Sequence, residues 1–111
     1  METTGQKRIS ALIQKELSII FQKKAADFAG KIISVTVVRV TPDLSLAKVY
    51  LSIFPDNDKD AVFEEIQNSK SVFRFELGNK IKNKVRKIPD LRFFIDDSLD
   101  YAEKIDNLLN K

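Results

Sequence analysis

Residues 73–97 read FRFELGNKIKNKVRKIPDLRFFIDD, a stretch that sets an apolar helical stripe, a dense run of cations and a strand directly after one another. Leu77, Ile81, Val85 and Ile88 recur at steps of four, four and three, which lines them up on one helical face. The spacing predicts a helix from Phe73 that lays this stripe on a core and ends at Ile88. Pro89 sets that end, because it lacks an amide donor and pushes the preceding residue out of the helical region. Lys80, Lys84 and Lys87 flank the stripe on one side, Lys82 and Arg86 on the other. Beyond the proline, Leu91, Phe93 and Ile95 alternate with Arg92, Phe94 and Asp96, the two-residue period of a strand. A helix that is buried along one stripe and cationic over the rest therefore runs straight into a sheet.

Just upstream, Asn68, Ser69, Lys70 and Ser71 read as a break between this helix and a shorter one carrying Ala61, Val62, Phe63 and Ile66, with Asp58 or Asp60 as its cap. Before that, Ile32 to Thr41 is rich in β-branched residues, and LSLAKVYLSIF (residues 44–54) places Ala47, Val49, Leu51 and Ile53 opposite Lys48, Tyr50 and Ser52. Pro42 and Asp43 supply the turn of this hairpin. At the N-terminus, Ile9, Leu12, Ile13, Leu17, Ile20 and Phe21 predict an amphipathic helix over residues 6–27, stopped near Gly30. Downstream, Asp97 or Ser98 caps a last helix with Tyr101, Ala102, Ile105, Leu108 and Leu109 as its stripe. The expectation is an α+β domain over residues 1–111, in the order α-β-β-α-α-β-α. Its three-stranded sheet should carry helices mainly on one face.

The 111 residues suit a single core, and three Gly and three Pro among 43% apolar and 32% charged residues fit a globular protein. The chain has no Cys, no His and no Trp. Thiol nucleophiles, disulfides, Cys/His zinc sites and imidazole acid–base catalysis are thereby excluded, so the expectation is a non-enzyme without a cofactor. Two acidic sets resemble metal sites only partly. Asp56, Asp58 and Asp60 alternate like the start of a calcium loop, but its glycine position holds Ala61 and its glutamate position Gln67. Asp96, Asp97 and Asp100 read as helix capping, and no metal site is expected. No apolar run reaches the roughly 18 residues of a membrane span, and Met1 to Gly5 leads into charge without an apolar leader segment. The chain is expected to stay in the cytoplasm, off the membrane.

Net charge is only +3, yet it is unevenly spread. Eight cations against four anions occupy residues 1–48, one against five residues 49–69, eight against two residues 70–92, and two against five residues 93–111. Such segregation points to a basic face for a polyanion. Lys80, Lys82, Lys84, Arg86 and Lys87 are the main candidates for contact with its phosphates or other anions, with Arg8, Arg39, Lys48, Arg74 and Arg92 secondary; Arg92 could instead pair with Asp90. Phe73, Phe75, Phe93 and Phe94 read as core, whereas Tyr50 lies on the less apolar strand face, where stacking on a base is open to it.

The element order is that of a type II KH domain with one helix added, although Gly5, Gly30 and Gly78 are the only glycines and no GxxG loop exists. RISALIQKELSII, VTPDLSLAKVYLSIF, FRFELGNKIKNKVRKIPDLRFFIDDS and LDYAEKIDNLL together resemble the ribosome-binding factor A family from end to end. The resemblance implies a KH-like, non-catalytic, monomeric assembly factor that binds the immature small ribosomal subunit. Late maturation and processing of its ribosomal RNA, and cold adaptation, would be its tasks. Ser69, Lys70 and Ser71 stand where the family carries an alanine–x–glycine kink in place of GxxG. Many members continue into a C-terminal tail, and a function residing there is not expected of a sequence that stops at Lys111. The residues alone leave open a generic single-stranded RNA binder or a protein-interaction module.

Overall fold

A computed structural model describes residues 3–28, 30–55 and 57–96; the expected closing helix lies outside them. The first helix, α1 (Thr4–Lys23), starts two residues before the expected boundary at Gln6 because Thr3 and Gln6 form a capping box. Thr3 Oγ1 accepts the Gln6 amide at 3.1 Å and Gln6 Oε1 accepts the Thr3 amide at 2.9 Å. The helix ends earlier than expected, at Lys23, and a 3₁₀ turn over Ala25–Phe28 buries Phe28. Gly30, at φ +72°, then turns the chain in a conformation that L side chains rarely adopt.

Three strands follow the β-branched and alternating patterns: β1 (Ile32–Val40), β2 (Leu46–Phe54) and β3 (Asp90–Ile95), with β2 in the middle. The β1–β2 pair is antiparallel and the β2–β3 pair parallel. Ala47, Val49, Leu51 and Ile53 of β2 are buried, as are Leu91 and Phe93 of β3. In β1 both Val35 and Val38 are buried although three residues apart, because a bulge between Val35 and Val37 inserts Thr36 and restores the apolar face. Gln14 of α1 donates to the carbonyls of Val35 and Thr36 at 3.0 and 3.2 Å, and Gln6 donates to the Val40 carbonyl at 2.8 Å. The helix is thus pinned along β1 by side-chain amides as well as by its apolar stripe.

Residues 59–81 form two helices, α2 (Lys59–Asn68) and α3 (Lys70–Ile81), separated by Ser69 alone. The backbone stays satisfied across this break, since the Ser69 amide donates to Glu65 and Ile66 while its carbonyl accepts from Val72 and Phe73. Asp58 occupies the cap position of α2, as expected, but stands in the left-handed region (φ 61°) and makes no side-chain capping bond. Asp60 instead places a carboxylate in the first turn, where the helix dipole favours it. Among the described residues no helix is long and apolar enough to cross a membrane, and no group of three or more His, Cys, Asp and Glu is placed to hold a metal.

Phe73 is the hub of the core. Its ring lies 4.6 Å from Phe21, 5.8 Å from Phe93 in an edge-to-face arrangement, and 6.2 Å from Phe28. Phe75, two residues along the same helix and so some 200° round it, departs from the expected core role and is 70% exposed, against 1% for Phe73. Phe73→Ala is expected to destabilise the fold by about 3–5 kcal/mol, and Phe75→Ala to stay within about 0.5 kcal/mol. Urea unfolding followed by circular dichroism measures both.

Candidate nucleic-acid interface

The main cationic run does not ride on a helix. Helix α3 stops at Ile81, and residues 82–89 turn back along it, which corrects the expected helix through Ile88. Ile88 packs over Gly78, where an added Cβ would lie 3.6 Å from it. In an unbroken helix those two residues would be about 15 Å apart, so the contact requires the reversal. Five cations among eight residues also disfavour a continued helix by mutual repulsion. The apolar members keep their destination by another route: Ile81 is buried, and Val85 and Ile88 pack against the core from the returning segment.

Arg74 holds that segment in place. Its Nε donates to the Pro89 carbonyl at 3.1 Å, Nη2 donates to the Ile88 carbonyl at 2.8 Å, and the guanidinium lies 3.3 Å from the Asp90 carboxylate. The turn before β2 is joined to the same region. Ser45 Oγ, Thr41 Oγ1 and the Ser45 amide all donate to Asp43 Oδ1, at 2.7, 2.8 and 3.1 Å. These bonds, led by that of the Ser45 hydroxyl and aided by the positive charge of Lys87, hold the Asp43 carboxyl at about 2. The Ser45 carbonyl accepts the Asp90 amide at 2.9 Å, linking the turn to the start of β3.

With the return fixed at its root, Lys80, Lys82, Lys84, Arg86 and Lys87 are exposed, and no ion pair or hydrogen bond of their side chains is formed among the described residues. This run, from the end of α3 along the return, is the cationic shelf; Lys82 and Lys87 line a shallow groove of about 370 Å³ with Phe75 and Ile88, and Lys80 lines another with Lys23 and Lys24 of the first helix and its cap. A second groove, of about 570 Å³, runs between the α2–α3 break and β3 and is lined in part by Gln67, Lys70, Arg92 and Phe94.

The sequence profile described as ribosome-binding factor A matches residues 5–109. The chain belongs to the ribosome-binding factor A family. A relative of that name from Cytophaga hutchinsonii is 44% identical over 112 residues, covering 100% of this chain and 84% of its own length. The crystal structure of ribosome-binding factor A from Thermus thermophilus shares the fold, with a TM-score of 0.69 at 18% identity over 81% of this chain and 94% of that one. A homology model of the Thermus thermophilus factor, fitted into a cryo-EM map of its complex with the 30S subunit, matches with a TM-score of 0.60 at 17% identity, over 79% of this chain and 91% of that one. The α+β order, with helices on one side of a three-stranded sheet, is that of the family's type II KH-like fold.

Within this family fold the candidate cations divide into groups. Lys80 to Lys87 stand on the shelf, and Arg8 is exposed on α1 near its start. Arg39, Lys48 and Arg92 project instead from the sheet face away from the helices, since their strand neighbours point into the core. Arg74 is engaged within the chain, and Asp90 pairs with it rather than with Arg92. Two further cations are also engaged. Lys31 is buried, its ammonium donating to the carbonyls of Pro55 and Asn57, and Lys24 pairs with Glu76 at 3.2 Å. The exposed Phe75 was missed among the candidates, although its position off the Phe73–Leu77–Ile81 stripe marks it.

Arg74→Ala is expected to lower stability by about 1–3 kcal/mol through the two carbonyls it leaves. Lys82→Ala and Lys84→Ala are expected to stay within about 0.5 kcal/mol. Parallel urea titrations of the three variants check the contrast.

Proposed function

We propose that this chain is an assembly factor that binds the immature small ribosomal subunit and assists late maturation and processing of its ribosomal RNA, with the shelf of residues 80–87 as its main anchor. Membership of the ribosome-binding factor A family and the 30S complex into which the Thermus factor was fitted support this reading. The observation that carries it is the set of five exposed cations, Lys80 at the end of α3 and four on the return held by Arg74, that form no ion pair among the described residues. Phosphates supply the missing counter-charge, and displaced counterions supply much of the affinity.

The grip differs from that of a GxxG loop, in which bare backbone approaches nucleotides. Here Ser69, Lys70 and Ser71 occupy the break, and side-chain charge takes over the holding role, with Arg8 and Lys70 adding phosphate contacts at its margins. The protein acts as a cytoplasmic monomer without a cofactor, and its contribution is binding rather than catalysis.

Combining Lys82→Glu, Lys84→Glu and Arg86→Glu is expected to weaken co-sedimentation with precursor small subunits by roughly tenfold or more at moderate salt, with circular dichroism and the urea midpoint unchanged. Undiminished co-sedimentation of the folded variant would remove the shelf from the interface. Equal binding of the wild type to any RNA would replace the assembly role with generic RNA binding.

A further inference from the structure

Among the described residues the helices pack on one face of the sheet, and a row of cations crosses the other, reaching on the edge strand β3 the groove that Arg92 and Phe94 share with Gln67 and Lys70. Arg39 stands opposite Lys48 and Lys48 opposite Arg92 in the strand register, one on each of three adjacent strands. Neighbouring strands lie about 4.8 Å apart, so the three charges crowd one another. Arg39 and Arg92 are exposed and Lys48 is half-buried, and none of the three forms an ion pair or a side-chain hydrogen bond among the described residues. Like charges directly opposite each other destabilise a sheet, and the carboxylates nearby are placed otherwise: Asp90, two residues before Arg92, pairs with Arg74, Asp96 is bonded to Thr36 Oγ1 at 2.5 Å, and Asp60, which lines a groove with Arg92, forms no ion pair with it. An external anion would relieve the repulsion.

Beside that row the register places Val37, Tyr50 and Phe94. The Tyr50 and Phe94 rings stack at 5.1 Å with 23° between their planes, and both are half-buried on this face. Charge for phosphates next to flat aromatic surface is the combination by which single strands are bound, because every base offers a π-face to stack on. A duplex keeps its bases enclosed and would leave the rings unused. An acidic protein segment would satisfy the charges but has no comparable use for the stacked pair.

We infer that the uncovered sheet face is a second RNA-contact surface, separate from the shelf, which takes a short single-stranded stretch with phosphates on Arg39, Lys48 and Arg92 and a base against the Tyr50–Phe94 pair. This rests on the reading that the chain binds ribosomal RNA, and it adds a second class of target to it: the shelf meets phosphates alone, the sheet face an unpaired segment.

The test is an NMR titration of the full chain with an eight-nucleotide, mixed-sequence single-stranded RNA, following the Tyr50 and Phe94 ring signals. Both should shift on binding. Combined Arg39→Gln, Lys48→Gln and Arg92→Gln should weaken affinity at least tenfold and reduce the log–log salt slope by about 2, three contacts at about 0.7 each on a single strand. Tyr50→Leu with Phe94→Leu should weaken it about tenfold while leaving that slope unchanged. The shelf variant should retain the ring shifts. Ring signals that do not move, a slope untouched by the triple variant, a polyglutamate peptide that matches the RNA in shift and affinity, or shifts that track self-association would each overturn the inference. If the wild type fails to co-sediment with small subunits while the ring shifts persist, the assembly role fails and the sheet-face site stands.

Discussion

The reversal of the chain after Ile81 is the constraint on which the cationic surface depends. Ile88 must reach Gly78, Pro89 must be buried and β3 must start beside Leu46, and one guanidinium satisfies the carbonyls on which those placements hinge. The segment between has only Val85 and Ile88 to contribute to the core. Everything else in it is polar and charged, so it lies in solvent with its root fixed at Arg74. Four positive charges, with Lys80 beside them at the end of α3, are held on a firm base without an ion pair among the described residues, which keeps their attraction available to a polyanion.

That arrangement gives the small net charge a spatial meaning. Strand β2 runs from the turn held by Asp43 toward Phe54, and the chain then enters α2, whose exposed Asp60, Glu64 and Glu65 follow Asp58. The cationic row of the sheet lies nearer the turn end, where Asp90 pairs with Leu46 and Arg92 with Lys48. Acidic and basic surfaces are therefore carried by different elements, and the dipole they create can orient the protein as it approaches a phosphate-rich surface.

Much of the architecture was legible because periodicity reports burial. Alternation in β2 and the three-and-four spacing in α1 marked their buried faces, and the poor helix formers at Asn68 to Ser71 marked the α2–α3 break. The end of α3 was not legible, since Leu77, Ile81, Val85 and Ile88 keep helical spacing while only the first two lie in the helix. A contact between Ile88 and Gly78, made in three dimensions, overrode the pattern. The fates of individual cations were hidden for a related reason. Nothing local distinguishes Lys31, buried against two carbonyls, from Lys82 in solvent, and only strand register aligns Arg39, Lys48 and Arg92. Ion pairing and register are long-range properties, and one-dimensional charge counts average over them.

In the proposed complex, phosphate recognition by the exposed shelf is the chief source of affinity for the small subunit. It is tested most directly by the affinity for precursor small subunits as a function of salt. Five shelf contacts predict a log–log slope of roughly −3.5 to −4.5, from about −0.7 to −0.9 per phosphate. A slope near zero would contradict the account and place the binding energy elsewhere.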